Sequence, residues 1–289
     1  MSRGPTPEIQ RPTANTREVT MIIAQLSDPH ITLESAVVGL TNAADSFQRA
    51  VAHVMRLPAR PDLLIISGDC ANNGQDAEYA RFQELLRPLP MPVYVIPGNH
   101  DQRAPMLERF GTQGSQPLEG FVQYVVDSGS VRVLGLDTHV PGHGHGYLCA
   151  QRLKWLAARL AEAPRQPTVV MMHHPPFRTG FGPFDQIGLE GADAFEAIIA
   201  RHPQVERVVT GHVHMALTRR FAGTTAMSCP ATAQTLLPDM HRPERVAVLI
   251  EPPACLLHEW RDGVGLTTYT SLIGDHGPIV DLHDGTRWL

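Results

Sequence analysis

VTMIIAQLSDPH, running from Val19 to His30, is an apolar, β-branched stretch that stops abruptly on polar side chains. Its first eight residues suit a strand buried on both faces, and an aspartate and a histidine then flank a proline. Pro29 disfavours a helical conformation in the residue before it, so the chain leaves the strand in a turn. The same design returns downstream. LLIIS (Leu63–Ser67) runs into Gly68-Asp69, and VYVI (Val93–Ile96) runs into Pro97-Gly98-Asn99-His100-Asp101. TVVMM (Thr168–Met172) runs into His173-His174-Pro175-Pro176, and ERVVT (Glu206–Thr210) into Gly211-His212-Val213-His214.

Helical spacing fills the intervals. Phe47, Val51, Val54 and Met55 form one stripe over Ala43–Leu57, and Tyr79, Phe82, Leu85 and Leu86 form another over Asp76–Leu86. Further helices are predicted over Ala104–Phe110, Cys149–Ala161 (Leu153, Trp155, Leu156 and Leu160 inward) and Asp193–Arg201, and a strand over Val131–Asp137. Alternating strands and helices predict a layered α/β fold. In such folds, loops converge at the carboxyl ends of the strands. Asp28, Asp69, Asn99, His173 and His212 each lie within a few residues of such an end, so residues distant in sequence can meet.

Taken singly, most of these pieces read as ordinary turns, and Gly-His-Val-His is the most specific: glycine lets the chain turn, and two histidines at i and i+2 can grip adjacent ions. His174 precedes Pro175 and is held extended, so His173 is the favoured ligand of that pair. Together the segments hold enough carboxylate, amide and imidazole for two metal ions sharing one carboxylate. That set suits Fe, Mn, Zn or Co rather than calcium or a thiolate-selected metal.

The motifs, in their order from about Met21 to Met215, resemble the calcineurin-like metallophosphoesterase superfamily. Asn72–Tyr79 (NNGQDAEY) and His173–Phe177 (HHPPF) are similar to its bacterial cyclic-nucleotide phosphodiesterase and glycerophosphodiesterase branch. The resemblance implies a four-layer α-β-β-α sandwich. It implies that Asp28, His30, Asp69 and His214 hold one metal, that Asp69, Asn99, His173 and His212 hold the other, and that Asp69 bridges them. His100 then sits beside the scissile phosphate as a catalytic group, with Asp101 either orienting it or capping the next helix. Glycerophosphodiesterase relatives can carry a further histidine in the loop after the Gly-His-x-His strand; here Pro230–Gln234 (PATAQ) has none, and Gln234 is its candidate stand-in.

Charge narrows the substrate. Two divalent ions less two aspartates and a bridging hydroxide leave about one positive charge, which suits a phosphodiester monoanion; the cations nearest in sequence are Arg103 and Arg178. The expected activity is hydrolysis of small phosphodiesters, cyclic nucleotides or glycerophosphodiesters, by attack of a metal-bridging hydroxide. A phosphomonoesterase or protein phosphatase on the same scaffold, or a non-catalytic binding protein, are the alternatives. A metallo-β-lactamase-like enzyme needs a His-x-His-x-Asp-His cluster that this chain lacks.

A 289-residue chain with 43% hydrophobic residues can bury a full core. A net charge of −5, with Lys154 the only lysine, argues against a nucleic-acid polymer as partner. No apolar run is long enough to span a bilayer, and a cytoplasmic enzyme, with a homo-oligomer possible, is expected. Residues 1–17 read as a disordered leader, 18–262 as the catalytic domain, and 263–289 as a C-terminal appendage available to a dimer contact. Strand-like runs at Arg219–Ser228, Arg245–Glu251, Cys255–Trp260 and Leu266–Ser271 are expected to close the second sheet. The cysteines (Cys70, Cys149, Cys229, Cys255) form no CxxC pair. The loop THVPGHGHG (Thr138–Gly146) reads as a solvated loop or as the lip of a substrate pocket, and Tyr79, Phe181 and Phe184 as packing residues or an apolar pocket wall.

Overall fold

A computed structural model of the protein describes residues 20–33, 42–127, 129–249, 252–275, 277–283 and 286–288. The leader expected over 1–17 lies outside them. The chain runs β1 (Thr20–Leu26), α1 (Ala43–Arg56), β2 (Leu63–Ile66), α2 (Asp76–Leu86), β3 (Val93–Val95), α3 (Arg103–Phe110), β4 (Tyr124–Asp127) and β5 (Arg132–Gly135). It continues through β6 (Gly146–Tyr147), α4 (Ala150–Glu162), β7 (Thr168–Met171), α5 (Gly182–Gln186), β8 (Leu189–Glu190), α6 (Ala192–Ile199) and β9 (Val205–Thr210). The last third is β10 (Leu217–Phe221), β11 (Thr224–Ser228), β12 (Thr235–Leu236), β13 (Val248–Leu249), β14 (Ala254–Arg261) and β15 (Gly265–Leu272).

Two sheets carry the fold, ordered β15-β14-β1-β2-β3 and β10-β11-β9-β7-β5-β4. Their central strands are parallel, β1 to β2 to β3 in one and β5 to β7 to β9 in the other. One apolar cluster joins Phe47, Val51, Val54, Tyr79 and Phe82 of α1 and α2 to β1 and β2, and includes Val133, Val169 and Val209 of the facing sheet. A second packs Trp155, Leu156 and Leu160 of α4 and Phe195 and Ile198 of α6 against Leu134, Val170 and Val208. The layers are therefore α-β-β-α, as expected. The parallel strands are apolar runs because both their faces are covered.

Local chemistry explains the helix starts and one misread stripe. The Asn42 side chain accepts the Asp45 N–H at 3.1 Å and caps α1. Met55, expected in the α1 stripe, is 46% exposed because its position falls at the edge of the arc through Phe47, Val51 and Val54.

The C-terminal third corrects the sequence reading. Arg219–Ser228, expected as one run, is the β10–β11 hairpin, turned by Ala222 and Gly223 at φ 48° and 89°. Among the described residues of this third, only that hairpin extends the second sheet. β14 and β15 were expected there, but β14 pairs antiparallel with the open edge of β1 and β15 pairs with β14. The boundary expected between 262 and 263 falls inside the β14–β15 hairpin, so the first sheet extends to Leu272 and any appendage begins after it.

Candidate metal centre

Every strand-end segment singled out above opens at the same end of the sandwich. Asp28, His30, Asp69, His212 and His214 all have positive φ, at 50°, 44°, 50°, 72° and 56°. A left-handed backbone at a non-glycine residue costs roughly 1 kcal/mol or more and persists where the surroundings impose it. Among the described residues only Gln116 and Ala222 join them, so this strain is concentrated on the expected ligands. Glycine serves the same end at Gly211. A Cβ there would overlap the Ser27 hydroxyl and come within 2.7 Å of Asp28 Oδ2, so β9 passes the β1 loop only without a side chain.

Main-chain carbonyls fix the histidine tautomers. His173 Nδ1 donates to the Ser67 carbonyl at 2.8 Å, and His214 Nδ1 donates to the Gln234 carbonyl at 3.2 Å, which leaves Nε2 of each ring bare. These bare nitrogens face other acceptors. His173 Nε2 lies 3.1 Å from Asn99 Oδ1 and 3.5 Å from Asp69 Oδ2. His214 Nε2 lies 3.0 Å from His30 Nε2 and 3.5 Å from Asp28 Oδ1. Asn99 Oδ1 is also 2.9 Å from His212 Nδ1, and Asp69 Oδ2 is 3.5 Å from His30 Nε2. Lone pairs converging at this range call for cations between them, so the donor set fits a metal pair. Asp28, His30, Asp69 and His214 form one compact group; the other forms around His173 and His212, with Asn99 in contact with both.

Electrostatics agree with a site built for positive charge. Burial pushes the Asp28 carboxyl up and the His30 ring down to about 3. Asp69 is buried too, yet His173, His30 and His100 hold its carboxyl well below the usual range. Burial also disfavours a charged His173, but Asp69 outweighs it and pushes the ring up to about 9: where no cation sits between Nε2 and the Asp69 carboxylate, a proton on Nε2 takes that place. His174 stands beside His173 and His212 without being free to ligate. Its Nε2 donates to the Gly144 carbonyl at 3.0 Å and its Nδ1 accepts the Thr138 hydroxyl at 2.8 Å, which uses both nitrogens. Its work is to tie the Thr138–Gly146 loop beneath the site.

His100 stands at the mouth, exposed, with Nδ1 donating to the Asn72 carbonyl at 2.8 Å. The expected role of Asp101 is corrected. Its buried carboxylate accepts the N–H groups of Cys70 (3.0 Å), Ala71 (3.0 Å) and Gly98 (2.9 Å) and the Tyr79 hydroxyl (3.1 Å). It thus splices the β2 loop to the β3 loop; Asn72, not Asp101, holds the His100 ring, and α3 has no side-chain cap. Burial, then the Asp69 charge, push the Asp101 carboxyl up to about 6.

Members of both groups line a cleft of about 420 Å³. Its polar floor is His30, Asp69, Asn99, His100, His212 and His214, and its wall includes Phe184, Ile187, Leu236 and Val246. Gln234 also faces it, with a buried Oε1 that has no partner among the described residues. Neither arginine near in sequence reaches the cleft: Arg103 pairs with Asp137 at 2.7 Å and Arg178 faces Asp185 on the outer side of α5. Of the three aromatics considered, Phe184 lines the cleft, while Phe181 and Tyr79 are packed inside. His139 is buried, and His145 lies 3.7 Å from Glu190, so neither forms the lip. No described helix is long and apolar enough to cross a membrane.

Sequence reading missed the carbonyls of Ser67 and Gln234, which hold the expected ligands His173 and His214, and that of Asn72, which holds His100, because a main-chain acceptor leaves no trace in residue identity. Metal removal has a direct expected consequence. Chelation is expected to lower Tm by about 5–10 °C, because a ligand held only by the native state stabilises it by about 2.7 kcal/mol at a hundred times its Kd. Calorimetry of chelated and reconstituted protein checks this; an unchanged Tm together with undetectable metal uptake would count against the site.

Comparison with known proteins gives the same picture. The family model for calcineurin-like phosphoesterase matches residues 21–216. A probable glycerophosphodiester phosphodiesterase GpdQ of Arcobacter nitrofigilis is 30% identical over 256 residues, covering 88% of this chain and 94% of the relative. The 3',5'-cyclic adenosine monophosphate phosphodiesterase CpdA of Pseudomonas aeruginosa is 32% identical over 223 residues, covering 76% and 79%. Among solved structures, a dimetal phosphatase from Danio rerio superposes with a TM-score of 0.65 at 14% identity, covering 88% of this chain and 99% of that one, a likeness of fold.

Proposed function

The chain belongs to the calcineurin-like phosphoesterase family, and from that premise we propose that it is a two-metal hydrolase of small phosphodiesters. Asp28, His30, Asp69 and His214 would hold one cation, and Asp69, Asn99, His173 and His212 the other, drawn from Fe, Mn, Zn or Co. Such a pair, when bound, supplies Lewis acidity to the phosphoryl group and lowers the pKa of a water.

The observation that carries the diester reading is the composition of the cleft. No lysine or arginine occurs among the described residues that line it. A monoester dianion would need such cations, whereas a diester monoanion is balanced by the metal pair alone. The wall is carbon-rich: Phe184, Ile187, Leu236 and Val246 offer apolar surface to the organic part of the ester. That favours a planar or apolar group, such as the base of a cyclic nucleotide, over a bare glycerol. Gln234 can hydrogen-bond the same group through its unpartnered Oε1. His100, held through Nδ1, lines the cleft and would offer Nε2 to the leaving oxygen of a bound diester. The uncharged walls also leave nothing for a polymer's phosphates to follow, and three of the four free cysteines are buried, which suits a reducing cytoplasm.

The test is a metal-reconstituted assay across bis(p-nitrophenyl) phosphate, p-nitrophenyl phosphate, cyclic AMP and glycerophosphocholine. Diesters are expected to exceed the monoester in kcat/KM by about tenfold or more, equivalent to about 1.4 kcal/mol. Faster turnover of the monoester would overturn the diester assignment.

A further inference from the structure

A line of buried polar side chains crosses the first sheet and ends at the metal site, and none of them is a candidate ligand. It starts at Thr268 on the edge strand β15, whose hydroxyl is 2.9 Å from His258 Nδ1 directly across the ladder. His258 Nε2 is 3.0 Å from Gln25 Oε1 on β1. Gln25 Nε2 reaches Ser67 Oγ at 2.9 Å and the Thr210 carbonyl at 3.0 Å. Ser67 Oγ is 2.7 Å from Ser27 Oγ, and the Ser27 hydroxyl bonds the Asp28 carboxylate. His258, Gln25, Ser67 and Ser27 are each fully buried.

The direction of every bond follows from two fixed points. The Thr210 carbonyl only accepts, so the Gln25 amide nitrogen must face it and Oε1 must face His258. His258 therefore donates through Nε2 and accepts the Thr268 hydroxyl at Nδ1. At the other end the Asp28 carboxylate only accepts, so Ser27 donates to it and in turn accepts from Ser67. All protons in the chain point toward Asp28. Burial, with Arg207 adding to it, pushes the His258 ring down to about 3, so His258 is neutral and its tautomer is set by these partners. Aligned donors polarise one another and act together on the terminal acceptor.

We propose that Thr268, His258, Gln25, Ser67 and Ser27 form a positioning relay that orients the Asp28 carboxylate and sets the affinity of one of the two metal positions, the one that contains Asp28. This inference rests on the two-metal reading of the site. It predicts an asymmetry that a merely structural network would not produce. Asp28 belongs to only one ligand group, so breaking the relay weakens one cation and spares the other.

The experiment is calorimetric titration of the chelated full-length protein with Mn(II). Asp28→Ala and Asn99→Ala identify which binding step belongs to which group. Ser67→Ala removes one hydroxyl and keeps the main-chain carbonyl that holds His173. It is expected to weaken the Asp28-dependent step by about 10- to 100-fold, the usual cost of losing a ligand's supporting hydrogen bond, and to leave the Asn99-dependent step within about twofold. Thr268→Val, at the partly exposed far end, is expected to weaken the same step by less, and it keeps the test open if Ser67→Ala does not fold. Equal weakening of both steps, or of neither, overturns the relay. A wild-type protein that takes up no metal pair would remove the reading beneath it, and that result is distinct from a relay that fails in a protein binding two ions.

Discussion

Asp69→Ala is expected to abolish turnover, lowering kcat/KM for bis(p-nitrophenyl) phosphate by about 10⁴-fold or more, roughly 5 kcal/mol of transition-state stabilisation. One buried carboxylate makes three connections here. Its Oδ2 lies 3.5 Å from His30 Nε2 in one ligand group and 3.5 Å from His173 Nε2 in the other. Its Oδ1 accepts the His100 N–H at 2.9 Å and fixes the loop that carries the His100 imidazole. Both metal positions therefore lose a ligand at once, and metal content is expected to drop from two per chain to below one. Asp69→Asn separates charge from shape, since it keeps size and an acceptor for the His100 N–H but removes the negative charge. It is expected to be nearly as inactive. An Asp69→Ala protein that retained two metals and a tenth of its activity would sink the shared-carboxylate arrangement.

The residues expected as ligands converge because each follows an apolar run that must end where the strand ends, so the topology delivers them to one edge of the sandwich. Pro175 favours His173 over His174 as a ligand in the sequence, and in the structure both His174 nitrogens are spent on Thr138 and Gly144. Asp101 shows where legibility in the sequence stops. Its place beside His100 suggests a catalytic partner, but direction in space is set by the β2 loop, whose free amides take up both of its oxygens. Such amides carry no residue identity, so nothing in the string of letters distinguishes the two roles. The C-terminal strands were legible as strands and not as members of a sheet, because β14 and β15 alternate in ways that fit either open edge. Gln25 is a polar residue inside an otherwise apolar strand, and in the structure it is the middle of the relay. A buried amide has to be satisfied, so its presence in such a run foretells a polar network even when its partners cannot be named.

His100→Ala carries the second large effect, and its size is expected to depend on the leaving group. The His100 Nδ1–H is committed to the Asn72 carbonyl, so the ring cannot rotate to present that nitrogen. Nε2 is the face left for substrate, and only the protonated ring can donate from it. Removing this group takes away general-acid assistance worth about 10²- to 10⁴-fold. A p-nitrophenolate departs without needing a proton, whereas an alkoxide needs one. The variant is therefore expected to lose about tenfold on bis(p-nitrophenyl) phosphate and about 10³-fold on a diester with an alkyl leaving group, in kcat more than in KM. Metal content is expected to stay at two, because His100 contributes no atom to either ligand group. Equal losses on aryl and alkyl diesters would instead assign His100 to stabilising phosphoryl charge, since that role is indifferent to the departing oxygen. Loss of a metal would assign it to the ligand set, against the tautomer that Asn72 imposes.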